Sequence, residues 1–248
     1  MNLYIITGAS KGLGFSIAKR LLGKENSLVC ISRNINKELA ELAKSKGENL
    51  KYYEFDLKKI EQTENLVKNI LSEIELKKFN KIYLINNAGV INPVSSIEDL
   101  KLNEVVDNFY VNFLSAFILT SFVLKYTRQF KGERIIVNIS SKAASMPNKY
   151  WACYSLAKSA LDGLTKYIFV EYQKNGKTKA ISFHPPAMDT SMRKENIKAK
   201  NFFERVWDFI SVKILRVKKV YSPDEIALSI ISILDSEKFN SGDIIEMQ

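Results

Sequence analysis

One stretch decides the fold of this chain: Asn2-Leu3-Tyr4-Ile5-Ile6-Thr7-Gly8-Ala9-Ser10-Lys11-Gly12-Leu13-Gly14. The apolar run Asn2–Ile6 has the length and composition of a buried strand. Three glycines follow it, and an amphipathic stretch to about Leu22 then predicts a helix. A strand, a glycine turn and a helix in this order place free amide donors where a pyrophosphate can bind. Ordinary turns also contain glycines, but this context favours a dinucleotide site, with Gly8, Ser10, Lys11, Gly12, Leu13 and Gly14 as its residues.

The second strand predicts which dinucleotide binds. It covers Ser27–Ile31 and leads to Arg33 and Asn34. In a nucleotide-binding fold, the residue about twenty positions after the glycines faces the adenosine ribose, and an acid there would repel a 2′-phosphate. This chain has Arg33 instead, and Lys11 lies in the glycine turn. Two cations favour NADPH over NADH, unless both are ordinary solvated side chains of a lysine-rich protein.

Further strand-like runs recur along the chain, and helix-length segments separate most of them. The runs are Lys51–Phe55, Lys81–Ile85, Arg134–Ile139, Lys179–Phe183 and Asp243–Glu246. No proline- or glycine-rich linker, repeat or low-complexity tract divides the 248 residues. The pattern predicts one α/β domain over residues 1–248, a Rossmann-type doubly wound sheet of about seven mostly parallel strands with helices on both faces.

Composition narrows the class of protein. The net charge of +10 suggests nucleic-acid binding as one hypothesis. The lysines are spread along the chain rather than gathered with aromatic residues, however, so we expect no nucleic-acid partner. Two cysteines without an obvious pairing frame indicate a reducing compartment. The first strand leaves no room for a signal peptide and no uninterrupted apolar run approaches a membrane span, which predicts a cytoplasmic protein without a membrane partner. The lone histidine, His184, predicts no metal site.

Tyr154 and Lys158 are four residues apart, and Ser141 lies upstream of them. On a helix, residues at this spacing share one face, so a phenol and an ammonium would lie side by side. A close cation favours the phenolate, and this pattern therefore predicts a lowered pKa for Tyr154 and a role in proton transfer.

Together these motifs make the chain similar to a known family. The glycine turn, Asn86-Asn87-Ala88-Gly89, Asn112, Ser141 and Tyr154 with Lys158 occur in the order found in short-chain dehydrogenases/reductases. The resemblance covers essentially the whole chain. Leu3–Gly14, Leu84–Gly89 and Met188-Asp189-Thr190-Ser191-Met192 resemble the benzil reductase and sepiapterin reductase branch of that family.

The resemblance implies roles for four residues. Tyr154 would protonate the substrate carbonyl oxygen, Ser141 would donate a hydrogen bond to it, and Lys158 would hold the nicotinamide ribose. Asn112 would anchor a water that links Lys158 to solvent, although a buried partner of a helix kink is the alternative. Ser140 competes with Ser141, which has the spacing to Tyr154 that the family shows.

The resemblance also implies cofactor contacts. Asp56 and Leu57 would meet the adenine, although Asp56 could instead cap a helix that begins near Lys58. The other groups are Asn87, Ala88 and Gly89 beside the adenine-side ribose, and Met188 and Thr190 at the nicotinamide carboxamide. One departure is Pro185-Pro186-Ala187, because the family has glycine where Pro186 stands. A required positive φ would impair nicotinamide binding, whereas an extended loop would only become stiffer.

Residues 190–221 are predicted to cover the substrate. Apolar residues recur there at helical spacing with basic residues between them, which favours an apolar lid over a membrane-surface helix. Met146, Trp151, Phe203 and Trp207 are the predicted pocket residues. Such a pocket suits a bulky aromatic ketone, an α-diketone or a pteridine side-chain ketone.

The predicted function is that of an NADPH-dependent carbonyl reductase. A 3-oxoacyl-carrier-protein reductase is one alternative, and a catalytically silent NADPH-binding sensor or scaffold is another. Apolar faces on the helices that carry Asn112 and Tyr154 predict a homo-oligomer, a dimer or tetramer, although packing against the sheet explains at least half of these residues.

Overall fold

Seven strands form one sheet in the computed structural model, which describes residues 1–23, 25–190 and 220–247. The strands are β1 Asn2–Thr7, β2 Asn26–Ser32, β3 Asn49–Glu54, β4 Lys81–Asn86, β5 Glu133–Ile139, β6 Thr178–His184 and β7 Ile244–Glu246. Their order is β3-β2-β1-β4-β5-β6-β7, and every neighbouring pair is parallel. The predicted fold class is confirmed.

Helices cover both faces of this sheet. In the described part of the chain they are α1 Gly12–Leu21, α2 Lys37–Lys46, α3 Thr63–Ser72, α4 Leu102–Phe109, α5 Ser115–Tyr126, α6 Ala152–Tyr172 and α7 Pro223–Ser236. Alternate residues of β1 face opposite layers: Tyr4 and Ile6 join the core with α1 and α7, whereas Leu3 and Ile5 join the core with α3, α5 and α6. Because both faces are covered, the strand is apolar on both sides from Leu3 to Ile6.

The strand order reverses between β1 and β4. From β1 the chain runs outward through β2 and β3, then returns to place β4 on the other side of β1. Ligands of open α/β sheets bind at the carboxyl ends of the strands beside such a reversal. The glycine turn follows β1 and Asn87 follows β4, so both lie at this position.

A π-helical turn, Tyr110–Leu114, joins α4 and α5 into one continuous helix from Leu102 to Tyr126. Its 25 residues are long and apolar enough to cross a membrane by length and composition alone. This helix was not predicted as a possible span from the sequence, because polar residues such as Asn108 and Asn112 interrupt its apolar residues. It packs against α3 and α6, and core helices of globular proteins meet the same criterion.

Candidate active site

The glycine turn brings backbone close to backbone. Gly8 has a φ of +69°, and a Cβ there would lie 2.9 Å from the Cα of Ala88. A Cβ on Gly14 would lie 2.4 Å from Nδ2 of Asn87 and 2.5 Å from the carbonyl oxygen of Gly8. Glycine is therefore required at both positions, because a side chain would collide with the residues that hold the turn.

Thr7 and Asn87 hold this turn on the two central strands. The Thr7 hydroxyl donates to the carbonyl of Ile85 at 3.3 Å and accepts from the amides of Asn87 and Ala88 at 3.0 and 3.1 Å. The Asn87 side chain donates to the carbonyls of Thr7 and Gly8 at 2.9 and 3.3 Å. The Asn87 side chain thus fastens β4 to β1, and its direct role is structural.

A cavity of about 410 Å³ adjoins the glycine turn. Its lining includes four predicted cofactor residues, Ser10, Lys11, Arg33 and Asn34, together with 35–38. The Asn36 side chain accepts from the amide of Leu39 at 2.8 Å, which caps α2, and donates to the carbonyl of Ser10 at 2.9 Å. Lys37 adds a third cation to the wall. Lys37 was not predicted from the sequence, since only its position four residues after Arg33 could have indicated it.

A second cavity of about 420 Å³ shares Arg33 and is also lined by Glu54, Phe55, Asp56 and Lys59. Oδ1 of Asp56 accepts from the amide of Lys58 at 3.0 Å, so the carboxylate closes a turn as well as lining the cavity. The α-helix expected near Lys58 begins only at Thr63, after the 3-10 turn Ile60–Gln62. Leu57 is buried in the core with α3.

Tyr154 and Ser141 meet at the carboxyl end of β5. The Tyr154 hydroxyl is hydrogen bonded to Ser141, whose Oγ also accepts from the amide of Ala143 at 3.2 Å. Ser140, the competing serine, instead donates to the backbone carbonyl of Lys158 at 3.1 Å. The geometry therefore brings Ser141, and not Ser140, to the phenol.

Lys158 lies buried beneath Tyr154. Its Nζ donates to the carbonyl of Ile139 at 2.7 Å and lies 5.7 Å from the centroid of the Tyr154 ring. Burial lowers the pKa of Lys158 to about 8, although the carboxylate of Asp162 favours the charged form. Burial also raises the pKa of Tyr154, and the hydrogen bond from Ser141 opposes this only in part. The predicted lowering of the Tyr154 pKa is wrong, because desolvation outweighs an ammonium that bonds to a carbonyl.

Asn112 lies in the π-helical turn and is 1% exposed. Its Oδ1 accepts from the amide of Val90 at 2.9 Å, and its Nδ2 donates to the carbonyl of Val90 and to Oδ1 of Asn108, both at 2.8 Å. Both amide protons are used, so the side chain is the buried partner of a distorted helix. A water at this position would have to bind the backbone.

An apolar wall stands beside Tyr154. The Trp151 ring meets the Tyr154 ring edge-on, with centroids 5.8 Å apart and planes at 88°. Ile91, Val94 and Ala143 complete the cluster. These three were not predicted from the sequence, because the loops after β4 and β5 that carry them give no periodic signal.

Of the other predicted pocket residues, only Met146 lies in the described part of the chain, and it does not join this wall. Met146 is 59% exposed and lies outside the cluster. Phe203, Trp207 and almost all of the predicted lid 190–221 lie outside the described residues.

The segment after β6 runs extended. Met188 pairs with Tyr221 as an isolated parallel bridge, in which Asp189 donates to Tyr221 at 3.1 Å and Tyr221 to Ala187 at 3.0 Å. These two bonds use the neighbours of Met188 and leave its own backbone groups aside. None of residues 185–190, all of them described, has a positive φ. Pro186 therefore stiffens an extended segment, which ends with the Thr190 methyl 3.7 Å from where a Gly12 Cβ would lie.

Gly14→Ala is expected to lower the melting temperature and to abolish nucleotide binding, because the new methyl would collide with backbone. Gly163→Ala is the matched control: nothing lies within 4 Å of its Cβ position in α6. There, alanine should stabilise the helix by up to about 1 kcal/mol. Thermal unfolding and dinucleotide titration measure both, and equal behaviour of the two variants would contradict the tight approach at Gly14.

Comparison with known proteins identifies the family. The family model for short chain dehydrogenases matches residues 2–201. Benzil reductase ((S)-benzoin forming) from Bacillus cereus is 34% identical over 249 aligned positions, which cover 100% of this chain and 99% of the relative. Sepiapterin reductase from Xenopus tropicalis is 32% identical over 77% of this chain and 75% of its own. A structure of 4-hydroxyisoleucine dehydrogenase complexed with NADH superposes with a TM-score of 0.81 at 25% identity, covering 100% and 97%.

The chain belongs to the short chain dehydrogenase family and resembles its benzil reductase and sepiapterin reductase branch, as predicted. It is an oxidoreductase that acts on the carbonyl or hydroxyl group of a small molecule, and members of this family use a nicotinamide dinucleotide. The residues present fit such a cofactor, since a cavity adjoins the glycine turn at the start of α1 and the cations Lys11, Arg33 and Lys37 line it.

Proposed function

We propose that this protein is an NADPH-dependent carbonyl reductase that acts on an aromatic ketone, an α-diketone or a pteridine side-chain ketone. The observation that carries the proposal is the buried contact of Tyr154 with Ser141 beside the apolar wall of Trp151 and Ile91. There, Tyr154 as proton donor and Ser141 as hydrogen-bond donor can both bond to a single carbonyl oxygen. The apolar wall can pack against an aryl substituent of the substrate. The similarity to benzil reductase supports the same substrate class.

When bound, the reduced dinucleotide supplies the hydride. This chain's residues would hold it at the carboxyl ends of the strands, where the strand order reverses between β1 and β4. Lys11 and Arg33 would bind the 2′-phosphate, and Asp56 would accept from the adenine amine. The remaining contacts would come from Gly8, Ser10, Gly12, Leu13 and Gly14 at the pyrophosphate, from Asn34, Leu57, Asn87, Ala88 and Gly89 on the adenosine side, and from Met188, Thr190, Tyr154 and Lys158 at the nicotinamide end.

Tyr154 acts as the general acid in this proposal. Because burial raises its pKa, the phenol keeps its proton at neutral pH and can give it from Oη to the substrate carbonyl oxygen. Ser141 donates a hydrogen bond to the same oxygen and stabilises the negative charge that develops there. The Lys158 ammonium then stabilises the phenolate that remains.

Ketone reduction is expected to be constant at neutral pH and to fall as pH rises through about 8, the pKa to which burial lowers Lys158. The sign follows from the two groups required: Tyr154 must carry its proton and Lys158 its charge, and both are lost only at higher pH. Initial rates of NADPH oxidation with benzil in buffers of constant ionic strength measure this. A rate that increases above pH 8 would contradict the assignment of the acid.

Two alternative functions are tested by the same assay. A 3-oxoacyl-carrier-protein reductase would turn over an acetoacetyl thioester faster than benzil, and we expect the reverse. A silent sensor would bind NADPH tightly and show no oxidation of it over a broad ketone panel. The extended course of Pro185–Thr190 favours the enzyme, because Pro186 then requires no conformation that proline forbids.

We also propose a homo-oligomer, a dimer or tetramer, in the cytoplasm. Leu161, Leu164 and Ile168 of α6 are buried in the core, but Leu102, Phe117, Leu156 and other apolar residues of α4, α5 and α6 are exposed. Burial of these residues in a subunit interface would remove apolar surface from water. Light scattering coupled to gel filtration measures the subunit count.

Both cysteines are free and buried, as suits the reducing compartment of the proposed cytoplasmic location.

A further inference from the structure

Asp162 continues the face of α6 that carries the candidate catalytic residues. Tyr154, Lys158 and Asp162 follow one another at intervals of four, which places them along one side of the helix. All three are at most 8% exposed. Tyr154 and Lys158 have roles in the proposed reduction, whereas the carboxylate of Asp162 has none there.

Two side chains of β6 hold this carboxylate. Oδ1 of Asp162 accepts from the Ser182 hydroxyl at 2.6 Å, and Oδ2 lies 2.8 Å from Nε2 of His184. Nδ1 of His184 is buried and has no hydrogen-bond partner among the described residues. A neutral imidazole with its proton on Nδ1 would turn a lone pair toward the carboxylate, so we assign the proton to Nε2, where it can be donated. Ser182 and His184 thus both donate to the carboxylate oxygens of Asp162.

A buried ammonium requires a nearby opposite charge, since its desolvation is otherwise uncompensated. Asp162 is the carboxylate whose charge favours the protonated form of Lys158. Other acids on elements near α6 are engaged elsewhere: Glu246 of β7 pairs with Lys142 at 3.1 Å, and Asp107 of α4 pairs with Lys58 at 3.1 Å. Both pairs are exposed, as is Glu104 of α4. Among the described residues, Tyr154 contacts Lys158 and His184 contacts Asp162, and both are titratable.

We propose that Asp162 is a positioning residue that keeps the Lys158 ammonium charged, and that Ser182 and His184 of β6 orient the Asp162 carboxylate for this purpose. The proposal rests on the proposed function only where it concerns turnover. Its consequence for the buried charge concerns the folded protein itself and can be measured without substrate.

The first experiment measures the pH profile of ketone reduction in Asp162→Asn. Asparagine has the same shape and can accept from Ser182 through Oδ1, while its Nδ2 can donate to Nε2 of His184 once the imidazole proton moves to Nδ1. Both hydrogen bonds can therefore be kept, and the main change is the loss of charge. The alkaline limb of the profile is expected to move about one pH unit lower than in the wild-type protein. Glu246→Gln is the matched control, because it removes a carboxylate from the strand next to His184 without touching Lys158, and its limb should stay in place.

The second experiment is a double-mutant cycle on unfolding in urea at neutral pH. Asp162→Asn leaves the Lys158 ammonium unpaired and should lower the unfolding midpoint. Adding Lys158→Met removes that charge and should restore much of the loss, so the two effects should not add. If Asp162→Asn does not fold, the proposal requires that Asp162→Asn/Lys158→Met does.

A third measurement concerns His184, which is the only histidine of the chain. Protein labelled with ¹⁵N-histidine gives one pair of ring nitrogen signals, and their shifts should report a proton on Nε2 at neutral pH. An Nε2 without a proton, additive effects in the cycle or an unmoved alkaline limb would each overturn the proposal. Absent turnover in the wild-type protein would refute the proposed function instead, while the cycle and the histidine signals would still decide this inference.

Discussion

Replacing Tyr154 by phenylalanine is expected to abolish ketone reduction and leave NADPH binding nearly intact. The change removes only the hydroxyl that is hydrogen bonded to Ser141, while the ring can still pack against Trp151. General acid catalysis contributes on the order of 10²–10⁴-fold, so kcat should fall by at least about 10²-fold. Stopped-flow or steady-state loss of NADPH absorbance measures turnover, and NADPH fluorescence measures binding.

Tyr167→Phe is the control for this variant. Tyr167 lies on the same helix and is 73% exposed, so it loses the same hydroxyl at a site remote from Ser141. Its turnover should equal that of the wild-type protein. Retained activity in Tyr154→Phe would remove Tyr154 from the proposed role, whereas loss of NADPH binding would show that the variant disturbs the site as a whole.

Arg33→Asp is expected to reverse the cofactor preference from NADPH toward NADH. Arg33 lines both the cavity beside the glycine turn and the cavity beside Asp56. A charge-assisted hydrogen bond to phosphate contributes about 1.5–3 kcal/mol. The new carboxylate would also repel the 2′-phosphate and could accept from a ribose hydroxyl. The ratio of NADPH to NADH affinity should fall by about 100-fold or more, which corresponds to about 2.8 kcal/mol.

Lys44→Asp makes the same change of charge on α2, at an exposed site away from either cavity. Its cofactor preference should match that of the wild-type protein when both are titrated at one ionic strength, because screening then affects them equally. Unchanged preference in Arg33→Asp would refute the phosphate assignment. An equal shift in both variants would show a general effect of net charge.

Features governed by local periodicity were predictable from the sequence. The seven strands were found with their ends within two residues of those expected, because a sheet covered on both faces gives continuous apolar runs. The shared face of Tyr154 and Lys158 follows from helix geometry alone. Ser141 was chosen correctly over Ser140 as the serine that meets Tyr154, on spacing to the tyrosine.

Features governed by desolvation were not predictable in this way. The pKa of Tyr154 is raised and not lowered, because the balance between burial and a nearby charge depends on how completely water is excluded. The hydrogen bonds of the Asn112 side chain were not predictable either. All of them go to Val90 and Asn108, and they form only because a π-helical turn meets the loop after β4.

The sequence by itself determined the parallel sheet, the glycine turn, the face that carries Tyr154 and Lys158, and membership of the dehydrogenase family. These follow from residue order within single elements, and their physical basis is the repeat of a strand or helix. Only the tertiary structure decided that Lys37 and Lys59 line the cavities, that Ile91 and Val94 flank Tyr154, and that His184 and Ser182 hold Asp162. Such contacts join elements far apart in the chain, so strand order and packing create them.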